Sequence, residues 1–95
     1  MQRAHYRPTW AIQFGERVRN RRHELEAKLG RSISQQQLGE LAGLHRTFVG
    51  HIEQGATNVT LRTIIRLAAA LDLDPSELVQ DLEPDPKDSA SSGGS

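Results

Sequence analysis

Apolar residues at helical spacing, interrupted by caps and glycines, divide this chain into a succession of predicted helices. The most informative stretch is Ser34 to Gly55. Ser34 followed by Gln37 is a capping box, in which each side chain satisfies a backbone donor that a new helix leaves orphaned. Leu38, Leu41 and Ala42 then share one face. Gly43 stops the helix, because glycine takes the left-handed conformation without steric cost. A second helix is predicted from about Arg46 to Gln54, ending at Gly55. Phe48, Val49 and Ile52 form its apolar arc, and Arg46, Thr47, Gly50, His51 and Gln54 lie opposite.

The same periodicity places the other elements. A first helix begins near Thr9 to Gln13 and runs to Leu29, with Phe14, Val18, Leu25 and Leu29 as its core stripe and Gly30 as its stop. Arg31 and Ser32 follow as a loop. Thr60 caps a fourth helix whose Leu61, Ile64, Ile65, Leu67, Ala68 and Leu71 are expected to be mostly core. Asp74, Pro75 and Glu77 start a short fifth helix, Ser76 to about Asp81, carrying Leu78, Val79 and Leu82. Residues 1–8 read as a flexible basic arm, which Trp10 would pin to the domain. Residues 9–82 form the domain. From Glu83 to Ser95 the chain is polar, punctuated by proline and rich in Ser and Gly, so disorder is expected.

The outer face of the second of the two central helices carries a cation, hydrogen-bonding groups and a glycine, and no acid. Taken alone it also fits a solvated helix. The surrounding geometry favours base edges. Arginine pairs with guanine, Gln and Thr are adaptable readers, and a small residue permits close approach. Gly39 allows two steeply crossed helices to touch, Gly43 makes the turn, and Val49 and Ile52 close the joint. That arrangement is a helix-turn-helix. Arg22 lies within the stripe of the first helix, where an unpaired buried charge is very costly. Glu53, bordering Val49, is the candidate partner, and a predicted Arg22–Glu53 pair locks the first helix to the recognition helix; the alternative is that Arg22 snorkels to solvent.

The segment resembles the lambda-repressor/Cro-like (XRE) family. Within it, GLHRTFVGHIEQG is especially similar to the controller proteins of restriction–modification systems and to small phage-type repressors. The resemblance spans roughly Phe14 to Val79 and continues through LRTIIRLAAALDLDPSELV. It implies an all-α, five-helix DNA-binding domain in which Arg22 and Glu53 fall on the family's ion pair. It places Gln35 on a phosphate oxygen, and Arg46, Thr47, Gly50 and His51 toward the major groove, with Gln54 nearer the backbone. The backbone of Ala56, Thr57 and Asn58 would approach phosphate. From their own spacing, Arg62 and Arg66 lie one turn apart and would flank the phosphate backbone, with a solvated surface the equal alternative for Arg66. His45 stands where the family usually has a small hydroxyl residue capping the recognition helix. One departure is clear: HELEAKLGRSI makes the passage from first helix to capping serine about six residues longer than usual. This extends the first helix.

Ninety-five residues suit one compact domain. Cysteine is absent, so disulfides and thiolate metal sites are excluded. No run approaches the roughly 18 apolar residues of a membrane span. A cytoplasmic, nucleoid-associated protein with no membrane partner is therefore expected. The formal net charge is zero, but it is segregated. Residues 1–71 hold eleven Lys/Arg against five acids, a balance of +6, and residues 72–95 hold seven acids against Lys87, a balance of −6. The front of the molecule thus has a positive field that the sum conceals.

The four histidines lack ligand spacing, with His45 and His51 six apart on different faces, so no metal is implied. No triad, phosphate-cradling glycine loop or paired carboxylate arrangement is present. Neither a cofactor nor catalysis is expected. Two functions remain. One is a sequence-specific regulator binding double-stranded DNA, normally as a homodimer on two half-sites. The other is an interaction module that keeps the fold and holds a protein partner through the 23–33 insertion or helix 75–82.

Overall fold

The computed structural model describes residues 7–86, which fold into α1 (Thr9–Leu29), α2 (Gln35–Ala42), α3 (Arg46–Glu53), α4 (Leu61–Ala70) and α5 (Pro75–Val79). Each start expected from a polar cap is present. Ser34 Oγ accepts from the Gln37 amide at 3.0 Å while Gln37 Oε1 accepts from the Ser34 amide at 2.8 Å. Thr60 Oγ1 accepts from the Thr63 amide at 3.1 Å. Asp74 and Glu77 form a second capping box, and Pro75 follows the cap. The Ser76 amide holds the Asp74 carboxyl below the usual carboxylate range.

One core joins all five helices: Phe14 and Val18 from α1, Leu38 and Ala42 from α2, Val49 and Ile52 from α3, Leu67 and Ala68 from α4 with Leu71 at its C-cap, and Leu78 from α5. Burying a large aliphatic or aromatic side chain of this kind contributes about 1.5–3 kcal/mol. Four expected core positions are instead exposed: Leu29 (54 %), Leu41 (66 %), Leu61 (70 %) and Ile65 (49 %). Leu29 lies on the α1 stripe, but α1 outruns the body that would cover it. In α2 the buried arc is centred on Leu38 and Ala42, leaving Leu41 at its margin. In α4 it is Thr63 that shares the i, i+4, i+8 row with Leu67 and Leu71, and its hydroxyl is satisfied by Thr60 at 3.1 Å.

Backbones come very close at two places. A Cβ on Gly39 would run into the carbonyl oxygen of Leu44, which is why the helix-turn-helix crossing tolerates only glycine there. A Cβ on Gly15 would strike the Ile52 carbonyl oxygen and lie 2.8 Å from that of Glu53, so α1 seats directly on the last turn of α3.

The C-terminal end is held by arginines. Arg17 donates to the Leu78 carbonyl at 3.2 Å, and Arg21 donates to those of Leu71 at 2.9 Å and Asp72 at 3.3 Å. These bonds satisfy orphan carbonyls near the ends of α4 and α5. The fifth helix is shorter than expected: Gln80 is extended and Asp81 has φ +56°. The chain expected to be free from Glu83 onward is instead pinned at its beginning. Gln13 donates to Glu83 Oε1 at 3.1 Å, the Glu83 amide donates back to Gln13 Oε1 at 2.9 Å, and Asp85 is buried. Residues 1–6 and 87–95, most of the expected arm and tail, lie outside the described residues. Trp10 is half-buried beside Pro8 and the Gly55–Asn58 segment.

Candidate nucleic-acid interface

The face available for recognition is set by what α3 buries. Val49, Ile52 and Glu53 are enclosed, Phe48 is partly covered, and Arg46, Thr47, His51 and Gln54 are exposed. The expected reading face is therefore open and carries no carboxylate. Glu53, the one acid on α3, is only 4 % accessible.

Arg22 grips Glu53 as predicted. Its Nε lies 2.7 Å from Glu53 Oε2 and its Nη2 lies 2.8 Å from Oε1, a two-pronged charge-assisted pair. Its Nη1 donates to the Ile33 carbonyl at 2.8 Å. The hydrogen bond to Glu53 raises the Arg22 pKa above its ordinary value despite burial, so Arg22 stays charged throughout the working pH range. Glu53 Oε1 also accepts from Gln35 Nε2 at 3.0 Å. One carboxylate thus joins α1, the start of α2 and the end of α3.

This refines the roles of Gln35 and Gly50. Gln35, expected to offer its amide to a phosphate, commits one N–H to Glu53 and lies over Gly50, where an added Cβ would be 3.2 Å from Gln35 Oε1. Gly50 is consequently half-buried, a seat for Gln35 as much as a point of approach. Among the described residues, the backbone amides of Gln35 and Gln36 in the first turn of α2 have no protein acceptor. They point where an anion is favoured at a helix N-terminus. Because the atom nearest an added Gly50 Cβ ends a flexible side chain, Gly50→Ala should gain up to about 1 kcal/mol of helix stability. It should also displace Gln35 and change DNA affinity. Parallel thermal melts and DNA titrations check this, and a variant that is destabilised contradicts the packing described.

His45 takes over the cap that a hydroxyl residue usually supplies. Its Nδ1 accepts from the Thr47 amide at 3.0 Å, which puts the proton of a neutral ring on Nε2, and among the described residues nothing accepts from that nitrogen. Nothing in the spacing foretells an imidazole in this role. Asn58 is exposed on the segment after α3 and Arg62 is exposed in the first turn of α4, and Asn58 Oδ1 accepts from the Val59 amide at 2.9 Å. No hydrogen bond or ion pair among the described residues joins either to the outer face of α3. Sequence reasoning missed Glu26, although its i+4 spacing from Arg22 was visible. Its Oε2 accepts from the Ile33 amide at 2.7 Å, fixing the loop that leads into α2. That bond, followed by His23, holds the Glu26 carboxyl below its usual range. A depressed carboxylate contributes stability above its unfolded pKa and loses it as pH falls through the folded value, so this tether loosens only in acid.

Residues 13–80 match the profile of a family described as helix-turn-helix domain. The chain belongs to the helix-turn-helix family. This helix-turn-helix chain is 48 % identical over 48 residues to control protein C.SmaI of Serratia marcescens, a match spanning 50 % of this chain and 57 % of that relative. Its fold is similar to the restriction–modification controller protein C.AhdI of Aeromonas hydrophila, with 44 % identity, a TM-score of 0.58, and coverage of 72 % of this chain and 94 % of the other. It is also similar to the P22 c2 repressor solved in complex with a synthetic operator, with 28 % identity, a TM-score of 0.61, and coverage of 70 % and 92 %. The five-helix, lambda-repressor-like fold expected from the sequence is the one observed, and the chain is a DNA-binding regulator of the XRE type.

Proposed function

We propose that this chain is a sequence-specific transcriptional regulator that lays α3 in the major groove and works as a homodimer on a palindromic operator. Arg46, Thr47 and His51 read base edges across Gly50. Gln54, His45 and the first-turn amides at Gln35 meet the backbone, and Asn58 and Arg62 meet it on the far side of α3. The observation that carries this reading is the acid-free outer face of α3, held from behind by the buried Arg22–Glu53 pair and the half-buried Gln35 bonded to it. A site held rigid by packed neighbours loses little freedom when it docks. A single domain buries little DNA surface, so two half-sites about one helical turn apart are needed for usable affinity. A cytoplasmic, nucleoid-associated location follows from this role.

The test is selection of bound duplexes from a random pool, read for a palindrome and its spacing. Arg46→Ala should then relax preference at one base position, costing about 1–3 kcal/mol there. A pool without a consensus, or an Arg46→Ala variant with unchanged preference, sinks the reading. A second reading, a protein partner held by the 23–33 insertion, has one observation in its favour: Leu25, Leu29, Ile33 and Leu41 line an open groove between α1 and α2. Helix 75–82 offers less, because Leu78 is fully buried. DNA binding that is insensitive to salt, together with loss of a protein partner on Leu29→Ser, would favour this second reading.

A further inference from the structure

The lengthened α1 ends in a tip whose charges are sorted. Its acids are occupied: Glu24 pairs with Arg21 at 3.3 Å, and Glu26 takes the Ile33 amide, His23 and the outer edge of Arg22. Its cations are not. Lys28 and Arg31 are exposed, and neither meets a carboxylate among the described residues. The formal balance of this stretch is neutral, but the charge it offers to a visitor is positive.

The tip is also rigid. Gly30 closes α1 with φ +69° and its amide on the Glu26 carbonyl at 2.9 Å. Ile33 is buried, its carbonyl held by Arg22 and its amide by Glu26. Arg31 is three residues from Ser34, at most about 10 Å of chain, and Ser34 caps the helix whose first residue, Gln35, rests on α3. Because the backbone that carries them is already fixed, pairing of these cations orders side chains alone, and within about 8 Å of a phosphate a charge is poorly screened.

We propose that Lys28 and Arg31 form an additional phosphate-contacting site, extending the protein's grip along the duplex beyond the base pairs read by α3. The proposal rests on α3 being the reading helix. It assigns to the insertion a role in affinity and footprint, with none in base preference. Its ligand is the sugar–phosphate backbone of DNA flanking the half-site.

The full chain and a Lys28→Gln/Arg31→Gln variant are titrated by fluorescence anisotropy against two duplexes over a range of salt. One duplex carries the selected palindrome alone, and the other adds about one helical turn of arbitrary sequence at each end. Glutamine removes the charge with little change in helix propensity, and matching melting curves confirm an intact fold. The wild type should bind the longer duplex more tightly. The variant should lose that gain, and its slope of log affinity against log salt should fall by about 1.8 per protomer, 0.9 for each lost phosphate contact. Preference among palindrome variants should not change. If the wild type binds with sequence preference but both proteins share one slope and one flank dependence, the proposal is overturned and the reading of α3 stands. If the wild type shows no preference for any duplex, the reading of α3 falls and takes this site with it.

Discussion

Glu53→Ala should lower the unfolding free energy by about 3–5 kcal/mol, the cost of stranding one member of a buried ion pair. The magnitude follows from the surroundings. The Arg22 and Glu53 side chains are 9 % and 2 % accessible, so water cannot replace the lost carboxylate. Arg22 would keep its bond to the Ile33 carbonyl but lose both prongs on Glu53, and Gln35 would lose its acceptor. For a small domain whose total stability is typically about 5–15 kcal/mol, this is a large fraction. Urea unfolding is the measurement. An unchanged midpoint would mean that the cluster does not hold the helices together. The control is Arg22→Met/Glu53→Leu, which removes both charges and should recover much of the loss, because the attraction of a buried pair roughly repays its dehydration.

Gly15→Ala is the second large effect, and here two terms oppose each other. Replacing an interior helical glycine with alanine normally gains about 1 kcal/mol. At position 15 the new Cβ meets the carbonyl oxygens of Ile52 and Glu53, which are backbone atoms unable to rotate away. Overpacking typically costs about 1–3 kcal/mol and sometimes more, so the steric term should win. The strain also has a direction, since α3 must move outward or tilt. Operator affinity should therefore fall together with melting temperature, whereas Gly50→Ala should separate the two. A Gly15→Ala protein that melts higher than the wild type would show that α1 and α3 have more room between them than these distances allow.

What the sequence discloses divides by range. The capping box at Ser34, the start at Asp74 and Pro75 and the stop at Gly30 are local signals, and all are present in the structure. Arg22–Glu53 spans 31 positions yet was legible, because a cation within an apolar stripe demands a partner, Glu53 borders the buried arc, and both residues fall on the ion pair of the family that the chain resembles. Leu29, Leu41, Leu61 and Ile65 misled because periodicity gives the direction of a side chain, not the extent of what covers it. Gly15 went unread although Gly39, an equally close contact between backbones, did not: Gly39 lies inside a recognisable helix-turn-helix, whereas the element that Gly15 meets is 37 positions away. The return of Glu83 to Gln13 was equally hidden within a proline-punctuated polar run.

The placement of Glu53 separates two kinds of change in the recognition helix. The scaffold grips α3 from its inner side, through Val49, Ile52 and this one carboxylate, and asks little of positions 46, 47, 51 and 54. Those four side chains can drift or be redesigned with small thermodynamic consequence, so new targets are reachable without rebuilding the protein that carries them. Among close relatives, diversity should gather at those four sites while the inward-facing trio stays constant.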